Sequence, residues 1–248
     1  MTLRDTTPSH VAQPLSWLRW KSWRFLQLLI FMVAVLLLNP LQSTYPLLML
    51  IMQLLLFNGM LVSLSAAGFA PRMRGILIAV WMVCAVLDAA SRMAADAALA
   101  TNFGLAAHLA AVLLLVGCVI ATLRYVLLSR QVTTDSISAA IVAYLFIGLA
   151  FSSAYYCLVV LDAHSFSIPS DMPVASSAEL ETTMLYYSYV TLATLGYGDI
   201  APRLPLSQML AVIEAIIGQF YIAVVIAWLM SVYVADRTRV QRVNNDDG

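Results

Sequence analysis

Residues 177–202 read SAELETTMLYYSYVTLATLGYGDIAP, a mostly apolar stretch that leads into a glycine-rich segment. Ser176 and Glu179 stand at the spacing of a capping box, which predicts a helix that begins within residues 177–181. The helix should end near Ala193, just before the glycines. A helix of this length is shorter than the roughly 20 residues that a bilayer crossing requires. The sequence therefore predicts a short helix followed by irregular backbone.

The composition of the whole chain indicates a membrane protein. Of its 248 residues, 62% are hydrophobic and only 10% are charged, whereas a soluble domain is about half apolar and roughly one quarter charged. A soluble fold of this length has too little interior for that apolar surface, so lipid must be the solvent for most of the chain. Cys84, Cys118 and Cys157 lie in apolar runs without metal-ligand spacing, so we expect buried thiols.

Six segments are apolar enough, or nearly so, to cross the bilayer. They are residues 23–38, 46–67, 75–90, 103–128, 136–161 and 206–235. The short helix and the glycine-rich segment fall between the fifth and the sixth. Irregular backbone at membrane depth is tolerated only where protein or a wet cavity surrounds it. The predicted fold class is an all-α membrane protein with six transmembrane helices and a re-entrant helix and loop between helices five and six.

The basic residues predict how these helices are oriented. With both termini in the cytoplasm, eleven of the 13 Lys and Arg residues lie inside and only Arg92 and Arg203 lie outside. The inside set is Arg4, Arg19, Lys21, Arg24, Arg72, Arg74, Arg124, Arg130, Arg237, Arg239 and Arg242. We expect a multi-pass protein of a bacterial inner or plasma membrane with cytoplasmic N- and C-termini. Residues 162–205 then lie outside, where their acidic side chains form an ordinary solvated loop or attract cations to an outer mouth.

Residues 191–199, TLATLGYGD, resemble the signature T-x-x-T-x-G-Y-G-D of the potassium channel family. The signature covers nine positions, and the wider resemblance extends over about residues 186–234. It implies a homotetramer in which each chain supplies one segment of an ion-selectivity filter. The implied filter residues are Thr194, Leu195, Gly196, Tyr197 and Gly198, with K⁺ ions at Thr194, Leu195, Gly196 and Tyr197.

The same resemblance implies a set of residues that support the filter. Tyr186 and Tyr187 would form an aromatic cuff around it, and Asp199 would hydrogen-bond behind it. Thr191 and Val190 precede it on the short helix. Val190 stands where some bacterial members carry a glutamate, so inactivation governed by that carboxylate is not expected.

The residue types also suit the chemistry of a cation that sheds its water. A dehydrated K⁺ needs replacement oxygens, and successive backbone carbonyls aimed at one axis supply them. Gly196 and Gly198 permit the backbone angles that this requires, and the Thr194 hydroxyl supplies the lowest ring of oxygens. We expect Leu195 and Tyr197 to point outward and to pack the filter against the short helix.

The last helix carries a predicted hinge and a predicted gate. Gly218 lies twenty residues after Gly198, where pore-lining helices of this family carry a hinge glycine. An apolar stripe follows at helical spacing: Ile222, Ile226, Met230 and Val234. Such a stripe is either a packing seam or, in four converging copies, a constriction that closes by dewetting. We expect Gln219 to face a water-filled cavity beneath the filter.

Glu214 is a carboxylate inside a predicted span. Such a position costs about 2.5–3.5 kcal/mol on insertion scales, so the residue needs a partner or a proton. One reading is structural, with hydrogen bonds to the short helix or to a neighbouring helix. The other is modulatory, with protonation of Glu214 coupled to the filter.

The first four helices match a voltage sensor in number but not in charge. A sensor needs positive charges at every third position of its fourth helix, because the membrane field acts on those charges. Residues 103–123 contain no Lys or Arg, and only Arg124 and Arg130 follow. His108 is expected to be a satisfied packing residue. We therefore expect weak voltage dependence.

The chain divides into four predicted parts. They are a cytoplasmic N-terminus with an interfacial aromatic and basic segment (1–24), a four-helix membrane domain (25–130), a pore domain (131–235) and a short cytoplasmic tail (236–248). The interfacial segment either anchors the first helix or binds anionic lipid.

The predicted function is that of a potassium-selective channel subunit. The sequence shows no nucleophile–base pair, metal cluster or phosphate loop, so no enzymatic activity is predicted. Expected partners are further copies of the chain, membrane lipids, and an unidentified regulatory ligand or subunit, but no nucleic acid. The only ligand expected in place of a cofactor is the permeant K⁺. The alternative is a membrane sensor or scaffold whose four-helix domain binds a ligand and whose pore conducts little.

Overall fold

The computed structural model describes residues 23–42, 45–66, 71–129, 132–172 and 174–246, without the side chains of some helical residues in these ranges. The predicted interfacial segment lies almost wholly outside them. Within the described ranges the α-helices are α1 Arg24–Leu38, α2 Pro46–Ala66, α3 Pro71–Met93, α4 Ala97–Leu128, α5 Thr134–Leu161, α6 Ser177–Leu192 and α7 Pro205–Asp246. The shorter elements are two 3₁₀ turns, Asn39–Leu41 and Ala163–Ser165, and an antiparallel pair formed by β1 Phe166–Ser167 and β2 Ala201–Pro202.

Each of the six predicted spans is helical, and five of these helices are long and apolar enough to cross a membrane. Among the described residues the five are Arg24–Leu41, Gly75–Met93, Ala97–Leu128, Thr134–Leu161 and Pro205–Val232. In α2 the described apolar stretch is the shorter Ile51–Ala66. The fold is that of an all-α, multi-pass integral membrane protein.

Two helices extend beyond the apolar runs that predicted them. Helix α4 begins at Ala97, earlier than the predicted residue 103, because Asp96 caps it by accepting the N–H of Ala98 at 2.9 Å. Helix α7 continues through the predicted tail to Asp246. Hydropathy marks where a membrane ends, whereas backbone hydrogen bonding and capping decide where a helix ends.

Helix α5 lies at the centre of the chain. It packs against α1, α4, α6 and α7, and 61% of its apolar window is buried, against 22% or less for the other four spans. Its connection to α4 is only residues 129–133. Helices α1 and α4 therefore pack on α5 of their own chain, with Phe25, Leu28 and Phe146 in the shared core.

A buried carboxylate joins three helices at the start of α5. Asp135 is 5% exposed. Its Oδ1 accepts the backbone N–H of Phe25 at 2.8 Å, and its Oδ2 accepts the hydroxyl of Tyr125 at 3.1 Å. The rings of Phe25 and Tyr125 stack with centroids 4.6 Å apart. The start of α1, the end of α4 and the start of α5 are thus held together by a residue to which the sequence analysis assigned no role.

The expectation that His108 is a satisfied packing residue is only partly right. Its ring stacks on Tyr156 with centroids 3.9 Å apart, and its Nε2 lies 3.5 Å from Oε1 of Glu181 on α6. Its Nδ1, however, is buried and has no hydrogen-bond partner among the described residues. His108 also lines a cavity between the helices.

We predict that Asp135→Ala lowers the free energy of unfolding by about 2 kcal/mol, because it removes the acceptor of two hydrogen bonds and leaves a buried backbone N–H unpaired. Denaturation of the detergent-solubilised protein measures the effect. Asp171→Asn, at an exposed carboxylate, is the matched control and should change little. Equal stability of the Asp135→Ala variant and the wild type would contradict the anchoring role.

Candidate functional site

The predicted capping box at the start of α6 is confirmed. The Ser176 hydroxyl accepts the N–H of Glu179 at 3.2 Å, and Oε2 of Glu179 accepts the N–H of Ser176 at 3.0 Å and that of Ala175 at 2.9 Å. The helix then runs over Ser177–Leu192, close to the predicted bounds. A defined start fixes which side chains of α6 face α5, α7 and the glycine-rich segment.

The segment 194–198, called the filter segment below, alternates in backbone handedness. The φ angles of Thr194, Gly196 and Gly198 are 58°, 57° and 80°, and Thr194 is the only non-glycine with positive φ among the described residues. In a regular strand, successive carbonyls point to opposite sides. Alternating left- and right-handed residues instead let successive carbonyls point to one side, and glycine makes two of the left-handed positions accessible.

The N–H groups at the start of the filter segment are turned toward the end of α6. The N–H of Thr194 donates to the Thr191 carbonyl at 2.9 Å. The N–H of Leu195 donates to the Val190 carbonyl at 2.9 Å, and that of Gly196 to the same oxygen at 3.4 Å. Thr191 and Val190 thus support the segment through their backbone oxygens, which leaves its own carbonyls available for another ligand.

The far end of the filter segment is held by Asp199. The Tyr186 hydroxyl donates to Oδ2 of Asp199 at 2.6 Å, and the N–H of Ile200 donates to Oδ1 at 2.9 Å. The tyrosine hydrogen bond lowers the pKa of the Asp199 carboxyl below its ordinary value. Of the two predicted cuff residues, Tyr186 makes this contact. Tyr187 packs edge to face on Tyr155 and Phe166, and its place in a cuff stays a prediction.

The side chains of the filter segment are not covered by their own chain. Leu195 is 58% exposed and Tyr197 is 67% exposed. The expectation that they pack against the short helix therefore does not hold within a single chain. Large apolar and aromatic side chains exposed beside one another indicate a surface that another molecule covers.

Helix α7 contacts both the start of the filter segment and the end of α6. Nε2 of Gln219 donates to the Thr194 hydroxyl oxygen at 3.0 Å. A Cβ on Gly218 would lie 2.1 Å from the Leu192 carbonyl oxygen, which is closer than any real contact. Gly218 is therefore required for the close approach of α6 and α7, a reason for glycine that is separate from the predicted hinge.

Glu214 has the partners that its place in a span required. It is fully buried. The Tyr155 hydroxyl on α5 donates to Oε2 at 2.6 Å, and the Ser188 hydroxyl on α6 lies 2.5 Å from Oε1 and 2.8 Å from the Gly148 carbonyl. A Cβ on Gly148 would lie 2.4 Å from the Tyr189 ring. Sequence reasoning missed Tyr155, Ser188 and Gly148, although polar or small residues within apolar spans are a usable signal.

The predicted gate residues lie on the part of α7 beyond Gln219. Ile222, Met230 and Val234 are 44%, 55% and 57% exposed. The side chain of Ile226 lies outside the described residues. The helix is continuous through Gly218, and the gate and hinge roles stay predictions.

We predict that Gly218→Ala lowers the free energy of unfolding by about 2 kcal/mol, because the new methyl group must push α6 and α7 apart. Gly75→Ala is the matched control, since a Cβ there meets nothing within 4 Å and alanine favours a helix by about 0.5–1 kcal/mol. The two variants should shift stability in opposite directions in the same denaturation assay. A Gly218→Ala variant as stable as Gly75→Ala would contradict the close approach.

We also predict that Glu214→Leu is less stable than Glu214→Gln by about 2 kcal/mol, because leucine leaves the buried Tyr155 hydroxyl without an acceptor whereas glutamine keeps one. The same unfolding assay compares the two. Equal losses in both variants would mean that the hydrogen bonds do not stabilise the junction of α5, α6 and α7.

One comparison with known proteins points to ion conduction. Residues 179–235 match the model of a family described as "Ion channel". The match begins at the capping-box glutamate Glu179, includes the filter segment and Gly218, and ends at Ala235. Neither the curated proteins nor the solved structures gave a match. The chain is a multi-pass membrane protein, and most of α6, the filter segment and most of α7 are similar to this ion-channel family.

Proposed function

We propose that the chain is one subunit of a homotetrameric, potassium-selective channel that conducts K⁺ passively. The observation that carries this proposal is the alternating backbone of the filter segment, which lies inside the stretch that matches the ion-channel family. Carbonyl oxygens replace the hydration shell of K⁺ in such filters. The proposed ligands are the backbone oxygens of residues 194–197, with the Thr194 hydroxyl oxygen at the base.

Assembly is part of the proposal because one segment supplies oxygens on only one side of an ion. Four symmetric copies enclose the ion and also cover Leu195 and Tyr197. Helix α7 presents further exposed apolar side chains. They include Leu206, Met209, Val212, Ile213, Ile216 and Phe220. A neighbouring subunit and lipid together would remove this surface from water.

The proposed permeation path continues along α7. Gln219 donates a hydrogen bond to the Thr194 hydroxyl oxygen, and its proposed place is at the cavity beneath the filter. Beyond it, the stripe of Ile222, Ile226, Met230 and Val234 would narrow toward the cytoplasm if both termini lie inside, as the positive charges predict. A hydrophobic constriction of this kind closes by losing its water. Gly218 is the proposed hinge.

Ion flux into liposomes tests the proposal. Purified protein should pass K⁺ at least about tenfold faster than Na⁺, because a carbonyl filter discriminates between the two ions. Gly196→Ala should lower K⁺ flux strongly, since alanine at a φ of 57° is strained by about 1–2 kcal/mol. Gly75→Ala, remote from the filter, is the control and should conduct normally.

Two results would count against the proposal. Equal K⁺ and Na⁺ fluxes would contradict the proposed selectivity for K⁺. The absence of flux under every condition would favour the alternative of a membrane sensor or scaffold. Single-channel recording of the same protein tests the expected weak voltage dependence, because the only basic residue of α4 is Arg124 near its end. A steep conductance–voltage relation would contradict that expectation.

A further inference from the structure

A cavity of about 220 Å³ lies within the four-helix domain, where α1–α4 meet α5 and α6. Most of its wall is apolar, with Trp81, Leu114 and Phe146 among the lining residues. One part of the wall is polar and contains charged groups from α3 and α6. The cavity is separate from the proposed permeation path and has no role in the function proposed above.

The polar part of the wall carries more negative than positive charge. Nη2 of Arg92 lies 3.1 Å from Oδ1 of Asp88 and 3.1 Å from Oε1 of Glu181. Nε2 of Gln53 donates to Oδ2 of Asp88 at 2.6 Å. Two carboxylates therefore share one guanidinium. The uncompensated carboxylate charge favours a cation in the cavity, particularly where little water screens it.

Two unpaired acceptors line the same cavity. Oδ1 of Asn39 and Nδ1 of His108 are both buried and have no hydrogen-bond partner among the described residues. The Nε2 of His108 faces the Glu181 carboxylate at 3.5 Å, and in the neutral ring with its hydrogen on Nε2 the Nδ1 atom is an acceptor. Buried acceptors without donors are costly, so the site calls for a ligand that donates hydrogen bonds.

We propose that this cavity binds an amphiphilic primary amine. Its ammonium group donates hydrogen bonds to Asn39 and His108 and is attracted by the Asp88 and Glu181 carboxylates. Its apolar body lies against the apolar wall. Ordered waters would donate hydrogen bonds to the two acceptors. They would neither make apolar contacts with the rest of the wall nor compensate the excess negative charge.

Such a ligand lies against the helix that leads into the filter segment. Glu181 is on the first turns of α6, and Leu185, one turn further along, also lines the cavity. An occupant that binds one arrangement of α6 more tightly than another shifts the equilibrium toward the first. The size of the shift is set by the difference between the two binding free energies. This regulatory consequence rests on the proposed channel function, whereas amine binding does not.

Calorimetric titration of the full-length protein in lipid nanodiscs tests the binding. The probe is 2-phenylethylamine, compared with its N,N,N-trimethyl analogue, which has the same charge but no N–H donor. The amine should bind at least about tenfold more tightly than the analogue. The reverse order would assign the binding to a cationic-blocker site elsewhere and overturn the proposal.

Three variants locate the binding. Asn39→Leu removes an acceptor that has no hydrogen-bond partner among the described residues, and Ala111→Phe fills the cavity from α4 without changing a charge. Each variant should weaken amine binding at least about tenfold. Leu113→Phe, on the same helix but 71% exposed, is the control and should bind normally. Unchanged affinity in both Asn39→Leu and Ala111→Phe would overturn the proposal.

Flux measured with and without the amine separates this inference from the channel function. Amine binding that is lost in Ala111→Phe, together with a protein that never conducts, would sustain the binding site and reject the channel. Selective K⁺ flux with no amine binding would support the channel and reject the binding site. Where both hold, Ala111→Phe should conduct K⁺ but lose the response to the amine.

Discussion

The close packing of α6 between α5 and α7 is the constraint on which the rest of the structure depends. Gly148 on α5 leaves room for the Tyr189 ring, and Gly218 on α7 leaves room for the Leu192 carbonyl. The filter segment begins two residues after Leu192, so the position of the end of α6 sets the position of Thr194. Both glycines are therefore part of the filter's geometry although neither belongs to it.

Hydrogen bonds fix how the packed helices are rotated against one another, which apolar contacts alone do not specify. Tyr155, Ser188 and Glu214 bring α5, α6 and α7 to one buried point. In a lipid environment no water is present to hydrogen-bond a buried polar group. The three helices are therefore held at the rotation about their axes that pairs these groups. The filter segment is then held at its start by Gln219 and α6 carbonyls and at its end by Asp199.

Helices α1–α4 are connected to α5 and α6 by polar contacts at two separate places. Asp135 joins α1, α4 and α5 at one end, and Glu181 contacts Arg92 and His108 at the other. Helix α4 lacks the series of basic residues through which a voltage sensor responds to the field. The contacts around Glu181 are instead the route by which the occupant of the cavity would act on α6.

The sequence by itself determined the all-helical membrane class, the capping box of α6 and the short helix that leads into a glycine-rich segment, because hydropathy, capping and glycine spacing are local properties of the chain. It also indicated that Glu214 needs partners. Tertiary structure alone decided that these are Tyr155 and Ser188, that Tyr187 packs on Tyr155 and Phe166, and that Asp135 joins three helices. It also decided that Arg92, His108 and Glu181 meet beside a cavity. These contacts join residues distant in the chain, and they depend on the rotation and separation of packed helices, which no local pattern records.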